Sequence, residues 1–446
     1  MVLMAQAHPV LLVLLLFLSP TAISSSKRTQ PKFSAIFYFG DSVLDTGNNN
    51  HLPTLAVANH VPYGRDFPGK KPTGRFSNGR LIPDLLNEKL QLKQFSPPFL
   101  DTRLSNNDMV TGVNFASAGS GLDDQTSQLS NTLPMSKQVD LFKDYLLRLT
   151  DIVGDKEASR IIASTLIFIS SGTNDFSHYY RSSKKRKMDI GGYQDIVLQM
   201  VQVYVKELYG LGGRQFCLAG LPPFGCAPIQ ITLSRDPDRA CVDEQNWDAQ
   251  VYNSKLQKLL ATLQGSLHGS KIVYLDAYRA LMEILENPAK YGFTETTRGC
   301  CGTGLREVAL FCNALTPICK NVSSYVFYDA VHPTERVYML VNDYIVKYVI
   351  PQLGYEFLER QGYVAMISFI SSNKKRILCQ FSMKRYYPGP ILTQQDLKLA
   401  TIDFLDYIDP IVNQEDTAKR SMTINPGFGL KIPYQHIHNP SKADCQ

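Results

Sequence analysis

Short apolar runs alternate with longer stretches of helical periodicity along the first 350 residues of the chain. Each run is nearly continuous in apolar residues, which is typical of strands covered on both faces. The runs cover residues 33–39, 112–116, 164–171, 214–220 and 271–275. In the gaps, apolar residues recur with the spacing of one helical face. Examples are Val197, Val201, Tyr204 and Leu208, a second face at Leu256, Leu259, Leu260 and Leu263, and a last amphipathic helix at 336–350.

This alternation predicts an α/β fold in which a parallel sheet carries helices on both faces. We therefore expect one three-layer α/β/α domain over residues 30–355, with a five-stranded parallel sheet. Residues 45–72 and 283–323 are rich in turn residues and are predicted to be surface insertions. From about residue 360 the pattern stops, so residues 360–446 are interpreted as a C-terminal extension to which no fold is assigned.

The N-terminus carries the apolar run VLLVLLLFL at residues 10–18. The run is too short to span a bilayer and is followed by small and polar residues, which is typical of a secretory signal peptide. We place the signal peptide at residues 1–25 and expect a secreted protein. No other apolar stretch is long enough to cross a membrane, so no membrane span is predicted.

The charge of the chain does not indicate a nucleic-acid partner. Its 46 basic and 40 acidic residues give a net charge of only +6. The one dense basic run, at residues 184–187, is interpreted as a solvated loop.

Seven of the nine cysteines lie between positions 217 and 319. They are Cys217, Cys226, Cys241, Cys300, Cys301, Cys312 and Cys319. Such clustering favours disulfides in an oxidising compartment, and the odd number leaves one thiol free. Cys217 lies within an apolar strand-like run, so we assign it as the buried free thiol. A zinc site at Cys300–Cys319 is the less favoured alternative, because no histidine lies among these cysteines. The sequon at Asn321 is a candidate glycosylation site in a secreted chain.

Four polar blocks follow or interrupt the apolar runs. They read GDS ending at Ser42, VNFASAGSG at 113–121, SSGTND at 170–175 and YDAVHPT at 328–334. The first three each lie just past the end of a predicted strand. Because ligands bind at the carboxyl edge of an open parallel sheet, we expect these three loops to converge on one cleft.

The fourth block supplies what a serine needs to react. A hydroxyl is a poor nucleophile until an imidazole takes its proton, and a carboxylate must hold that imidazole in place. Asp329 and His332 are three residues apart in a predicted turn. Helix capping is the alternative role for this pair. Gly119, Asn174 and the Ser42 N–H could stabilise a developing oxyanion, although glycine and asparagine are also common turn formers.

The order of these blocks resembles the GDSL esterase/lipase family of the SGNH hydrolases. The residues of these motifs are similar to those of the secreted plant branch of the family over about residues 33–353. The motifs that carry the resemblance are FGDSVLDTGNNN, YGRDFPGKKPTGRFSNGR, GVNFASAGSG, SSGTNDF, LAGLPPFGCAP, CCGTG and YDAVHPTERVY.

The resemblance implies a flavodoxin-like sheet and a role for each site residue. Ser42 corresponds to the nucleophile, His332 to the general base and Asp329 to the orienting acid. Asn174, with the backbone N–H groups of Gly119 and Ser42, corresponds to the oxyanion donors, and Gly79 is the alternative to Gly119. No metal or cofactor is implied, and we expect a monomer acting on a small-molecule or lipid ester.

The leading hypothesis is thus a serine hydrolase that cleaves carboxylic esters through an acyl-enzyme. An acyltransferase with the same triad is a second hypothesis, and a catalytically silent binding or specifier protein is a third. A dinucleotide-binding enzyme is excluded, because no G-x-G-x-x-G motif follows the first strand.

Overall fold

The structure is a computed structural model of the 446-residue chain. It describes residues 33–182 and 188–354, together with the strand residues 363–372, 376–385, 422–424 and 430–432. The predicted signal peptide at 1–25 and the basic run at 184–187 lie outside the described residues. The chain divides into two compact units, Met1–Phe357 and Leu358–Gln446.

The centre of the first unit is a parallel sheet of four strands in the order β1-β2-β3-β4. Its strands are β1 (Ile36–Gly40), β2 (Leu166–Ser170), β3 (Gln215–Ala219) and β4 (Lys271–Leu275). The described α-helices of this unit are α1 (Ile82–Lys89), α2 (Asn106–Thr111), α3 (Asp124–Gln128), α4 (Met135–Val153), α5 (Asp155–Ala163), α6 (Thr173–Arg181), α7 (Ile190–Gly210), α8 (Pro228–Ser234), α9 (Asp243–Ser266), α10 (Ala277–Glu286) and α11 (Glu335–Tyr344).

Alternate residues of each strand face opposite helical layers, as period-two strands require. Phe37, Ile167 and Phe216 pack with α4, α7 and α9, whereas Tyr38 and Phe168 pack on the other face with α1 and the C-terminal helices. The predicted three-layer α/β/α architecture is confirmed. The predicted helical faces in α7 and α9 are buried, apart from a half-buried Leu259.

The prediction of a fifth strand at 112–116 is wrong. This segment lies beside β1, and the N–H of Phe115 donates to the carbonyl of Tyr38 at 2.8 Å, but it forms only isolated bridges. The N–H of Gly40, which a continued ladder would direct to the carbonyl of Phe115, donates instead to Oε1 of Gln138 at 2.8 Å. The ladder between this segment and β1 is therefore interrupted by a side chain of α4. The order of this segment and the four strands is still that of a flavodoxin-like sheet.

Disulfide bonds join Cys226 to Cys241, Cys300 to Cys319 and Cys301 to Cys312. The predicted disulfides are thus confirmed, and their formation rules out the zinc alternative for the last four cysteines. Cys217 is free and fully buried in β3, as predicted.

The two predicted insertions are more integrated into the domain than surface loops. In residues 45–72, the polar side chains of Asp45, Asn48 and Asn49 are buried, as is Tyr63, so a purely superficial position for this segment is wrong. Their burial follows from hydrogen bonds that join the segment to the loop after residue 112, for example from Asn49 Nδ2 to the carbonyl of Ala118 at 2.9 Å.

The second insertion contains strand β5 (Glu295–Gly299), which pairs in parallel with β6 (Tyr325–Phe327). This small sheet lies directly before the block that holds Asp329 and His332. The chain then continues through α11 into a π-helical turn, Ile345–Val349, and a 3₁₀ turn, Ile350–Leu353. The amphipathic helix predicted at 336–350 is therefore present but changes its winding at its end.

The second unit contains two antiparallel strand pairs. The longer pair is β7 (Tyr363–Ser372) with β8 (Arg376–Arg385), and the shorter is β9 (Met422–Ile424) with β10 (Leu430–Ile432). In the part of the chain that the structure describes, no helix has the length and apolar character needed to cross a bilayer.

Candidate active site

Ser42 lies just beyond the carboxyl end of β1, where the chain makes a sharp turn. Gly40 ends the strand with φ +142°, and a Cβ at this position would lie 1.8 Å from the carbonyl oxygen of Ser170. The turn is closed by the N–H groups of Leu44 and Asp45, which both donate to the carbonyl of Asp41. A glycine is therefore required for the exit that brings Ser42 to the edge of the sheet.

Asp329 and His332 come from the turn that follows β6. The Asp329 carboxylate organises this turn, because Oδ1 accepts the backbone N–H groups of Val331 at 2.8 Å and of His332 at 2.7 Å. The same carboxylate contacts the imidazole, with Nδ1 of His332 2.7 Å from Oδ2. A carboxylate three residues before a histidine can reach the ring within one turn, and the D-x-x-H spacing therefore permits this contact.

The structure brings this pair to Ser42 across 290 residues of sequence. Nε2 of His332 lies 2.8 Å from Oγ of Ser42. A carboxylate only accepts hydrogen bonds, so in the neutral ring we assign the proton to Nδ1, and Nε2 then accepts from the serine hydroxyl. All three side chains are buried, and the Phe76 ring packs on the imidazole with centroids 4.7 Å apart. The arrangement can transfer a proton from serine to histidine.

Asn174 lies in the first turn of α6, directly after β2, and its side chain faces the same cleft as Ser42. Nδ2 donates one hydrogen to the carbonyl of Ser120 at 2.9 Å, which leaves its second hydrogen for another acceptor. The Ser42 N–H is also available, since it donates no hydrogen bond within the described chain.

Gly119 lies farther from the cleft than Ser42 and Asn174 do, because it is absent from the cavity wall. It has φ +83° and its N–H donates no hydrogen bond to the described residues, but it does not line the cavity next to Ser42. The neighbouring Ser120 is the residue that contacts Asn174. The alternative, Gly79, has a packing role, because a Cβ there would lie 1.8 Å from Oε2 of Glu335. Gly119 lies in the loop whose Ser120 contacts Asn174, whereas Gly79 lies in the loop whose Phe76 packs on His332.

A cavity of about 170 Å³ opens beside Ser42 and His332. One wall is polar and is formed by α6, from which Asn174, Ser177 and Arg181 reach the cavity at helical spacing. The remaining walls are mainly apolar. Their side chains include Ile82, Phe168, Phe224, Leu275, Leu281, Phe327, Val337 and Val341. Such a space suits a molecule with one apolar part and one polar part.

Two buried carboxyl groups flank the site. Burial raises the pKa of Asp41 to about 7, although the N–H of Val43 and the nearby His332 oppose the rise. Burial likewise raises the pKa of Asp175 to about 6. Asp175 accepts the N–H of Leu122 at 2.8 Å, so it ties the start of α6 to the loop that contains Gly119.

Tyr63 is a site residue that the sequence analysis missed. Its hydroxyl lies 2.7 Å from Oδ2 of Asp329, although the two residues are 266 positions apart. Only its place in the motif YGRDFP drew attention to it, and that motif carries no chemical signal for a contact with a carboxylate.

The chain is similar to known proteins over most of its length. The model of the family described as GDSL-like lipase/acylhydrolase matches residues 36–345. One GDSL esterase/lipase of Arabidopsis thaliana is 50% identical over 325 residues, which is 72% of this chain and 90% of the relative. Two further esterase/lipases of that plant are 46% and 47% identical, covering 74% and 73% of this chain and 95% and 92% of their own lengths.

Proposed function

Because this chain belongs to the GDSL-like lipase/acylhydrolase family and is thus a carboxylic ester hydrolase, we propose that Ser42, His332 and Asp329 are its catalytic triad. The observation that carries the proposal is the continuous hydrogen-bonded path from Oγ of Ser42 through the imidazole to Asp329, with distances of 2.8 and 2.7 Å.

In the first step, Oγ of Ser42 attacks the ester carbonyl carbon while its proton passes to Nε2 of His332. The tetrahedral intermediate collapses when the bond to the alcohol oxygen breaks, and the alcohol leaves with the proton that the imidazolium returns. Water then attacks the acyl-enzyme by the same route, so the carboxylic acid is released and Ser42 regains its proton. Asp329 holds the ring and stabilises the imidazolium without taking the proton.

The carbonyl oxygen becomes negatively charged in each half of the reaction. The second hydrogen of Asn174 Nδ2 and the N–H groups of Ser42 and Gly119 are the donors we assign to it. Asn174 and Ser42 are supported by their place on the cavity wall. Gly119 is supported by its available N–H and by the contact between its neighbour Ser120 and Asn174.

The substrate we propose is an ester with an apolar acyl group. The walls formed by α10 and α11, with Leu281, Val337 and Val341, offer apolar surface to such a group. The polar face of α6 offers hydrogen bonds to the alcohol. Lipid-type esters and other acyl esters of comparable size have such an apolar acyl part and a polar alcohol part.

Reaction with a fluorophosphonate probe tests the proposed nucleophile. We expect one modification on the peptide that contains Ser42, because pairing with an imidazole activates a serine hydroxyl. Prior blocking of the enzyme by the probe should abolish hydrolysis of a p-nitrophenyl ester. Stoichiometric labelling of another serine, or full hydrolysis by the labelled enzyme, would contradict the assignment.

We also propose that residues 1–25 direct secretion and are removed, leaving a hydrolase domain at 30–355 and the extension at 360–446. The three disulfides support an oxidising compartment. Asn321 is exposed and is proposed to carry a glycan. Expression in plant cells should yield extracellular protein that begins near residue 26. This protein should lose mass on treatment with an N-glycosidase, whereas the variant Asn321→Gln should keep its mass on the same treatment. Retention inside the cell would contradict secretion.

A further inference from the structure

The Tyr63 hydroxyl lies between the Asp329 carboxylate and a disulfide-closed loop. It donates to Oδ2 of Asp329 at 2.7 Å and accepts the backbone N–H of Ala309 at 2.9 Å. Ala309 belongs to the loop closed by Cys301–Cys312. Because the Ala309 N–H occupies the oxygen as a donor, the single phenolic hydrogen is left to point at the carboxylate.

The position of this hydroxyl is fixed by packing. The Tyr63 ring is fully buried, with the ring of Phe76 at 5.6 Å and that of Tyr328 at 5.7 Å between centroids. Burial, together with Asp329 itself, raises the pKa of the Tyr63 hydroxyl well above its usual range. The phenol therefore keeps its proton and remains a donor at every pH at which an esterase would be assayed.

No lysine or arginine among the described residues forms an ion pair with Asp329. Apart from His332, its donors are the backbone N–H groups of its own turn and the Tyr63 hydroxyl. The other titratable groups near this pair are the carboxyl of Asp41, the phenols of Tyr328 and Tyr338, and the imidazole of His60, whose ring centroid lies 5.5 Å from that of Tyr63. Tyr63 is thus the one side chain outside the triad that donates directly to the carboxylate within the described residues.

We propose that Tyr63 is a positioning residue for ester hydrolysis, which holds Oδ2 of Asp329 against the imidazole and shares the negative charge of the carboxylate. The inference rests on the proposed triad. One path of hydrogen bonds joins the first insertion, the disulfide-closed loop and the turn after β6. The path runs from the Ala309 N–H through the Tyr63 hydroxyl, Asp329 and His332 to Ser42. Tyr63 does not line the cavity, so it acts through Asp329 and not on the substrate.

The variant Tyr63→Phe removes the hydroxyl and keeps the ring. We expect kcat to fall about tenfold with KM unchanged. A fall of this size is what the loss of one hydrogen bond to a charged group would cause. The freed carboxylate would also stabilise the imidazolium more strongly. The acid limb of the pH profile of kcat/KM should therefore move to higher pH by about half to one unit.

Tyr328→Phe is the matched control. Its ring lies beside Tyr63, but its hydroxyl donates to the backbone carbonyl of Pro62 and not to the triad. We expect this variant to keep the wild-type kcat and pH profile. Asp41 is present in both variants, so its own titration contributes equally to both profiles.

A second substitution keeps the test decisive if Tyr63→Phe does not fold. Placing 3-fluorotyrosine at position 63 retains the hydroxyl and makes it a stronger donor, which should move the acid limb to lower pH. The proposal is overturned if each position-63 variant that folds shows the pH profile and kcat of the wild type. Failure of the triad itself would be seen separately, as absence of probe labelling at Ser42 in the wild-type enzyme.

Discussion

Replacing Ser42 with alanine is expected to lower kcat for a p-nitrophenyl ester by about 10⁴- to 10⁶-fold, the range seen when a triad nucleophile is deleted. Alanine cannot form the acyl-enzyme, and the imidazole then has no hydroxyl to deprotonate. Replacing His332 with alanine should cost a similar factor, because the hydroxyl loses the base that lies 2.8 Å away. The double variant should be no slower than either single variant, since the two side chains act as a unit.

The matched control is Ser171→Ala. Ser171 follows β2 much as Ser42 follows β1, but its buried hydroxyl has no hydrogen-bond partner among the described residues. This variant should keep wild-type kcat, and circular dichroism should report the same fold for all variants. Activity of folded Ser42→Ala within tenfold of the wild type would refute the assignment of the nucleophile.

The largest expected loss of stability follows from removing Arg75. Its guanidinium forms a buried, two-pronged pair with Asp84, from Nε to Oδ2 at 2.8 Å and from Nη2 to Oδ1 at 2.7 Å. The remaining hydrogens bond the carbonyls of Thr46 and Ser96 and the hydroxyl of Thr73. The pair thus joins α1 to the segment that follows Ser42.

We expect Arg75→Met to lower the free energy of unfolding by about 3–5 kcal/mol, because an uncompensated carboxylate is left inside the protein. Chemical denaturation measures this difference. Arg160→Met is the control, since Arg160 makes a similar two-pronged contact with Glu157 on an exposed helix surface. Its stability should not change measurably. Equal small effects in both variants would contradict the importance of burial for the Arg75 pair.

The sequence was most informative where local pattern and chemistry coincide. The exits of β1 and β2 could be predicted from an apolar run followed by glycine and polar residues, so Ser42 and Asn174 were placed on one edge of the sheet. The pairing of Asp329 with His332 could be predicted because it is local, with a carboxylate three residues before the ring.

Features that depend on distant partners could not be predicted in this way. The run at 112–116 has strand-like composition, yet the Gly40 N–H that a continued ladder would need donates to the Gln138 side chain. Likewise, nothing near Tyr63 indicates that its hydroxyl contacts a carboxylate 266 residues later. Both outcomes are decided by tertiary hydrogen bonds, which leave no periodic trace in the sequence.

The separation of 290 residues between Ser42 and His332 has a consequence for biosynthesis. Translation at about 5–20 residues per second needs roughly 15–60 s to add the intervening chain. During that interval the Ser42 hydroxyl has been synthesised, but His332, its proposed proton acceptor, has not. With the triad that we propose, ester cleavage cannot begin on the ribosome-bound chain until the turn that holds His332 has been made and has folded onto the first strand.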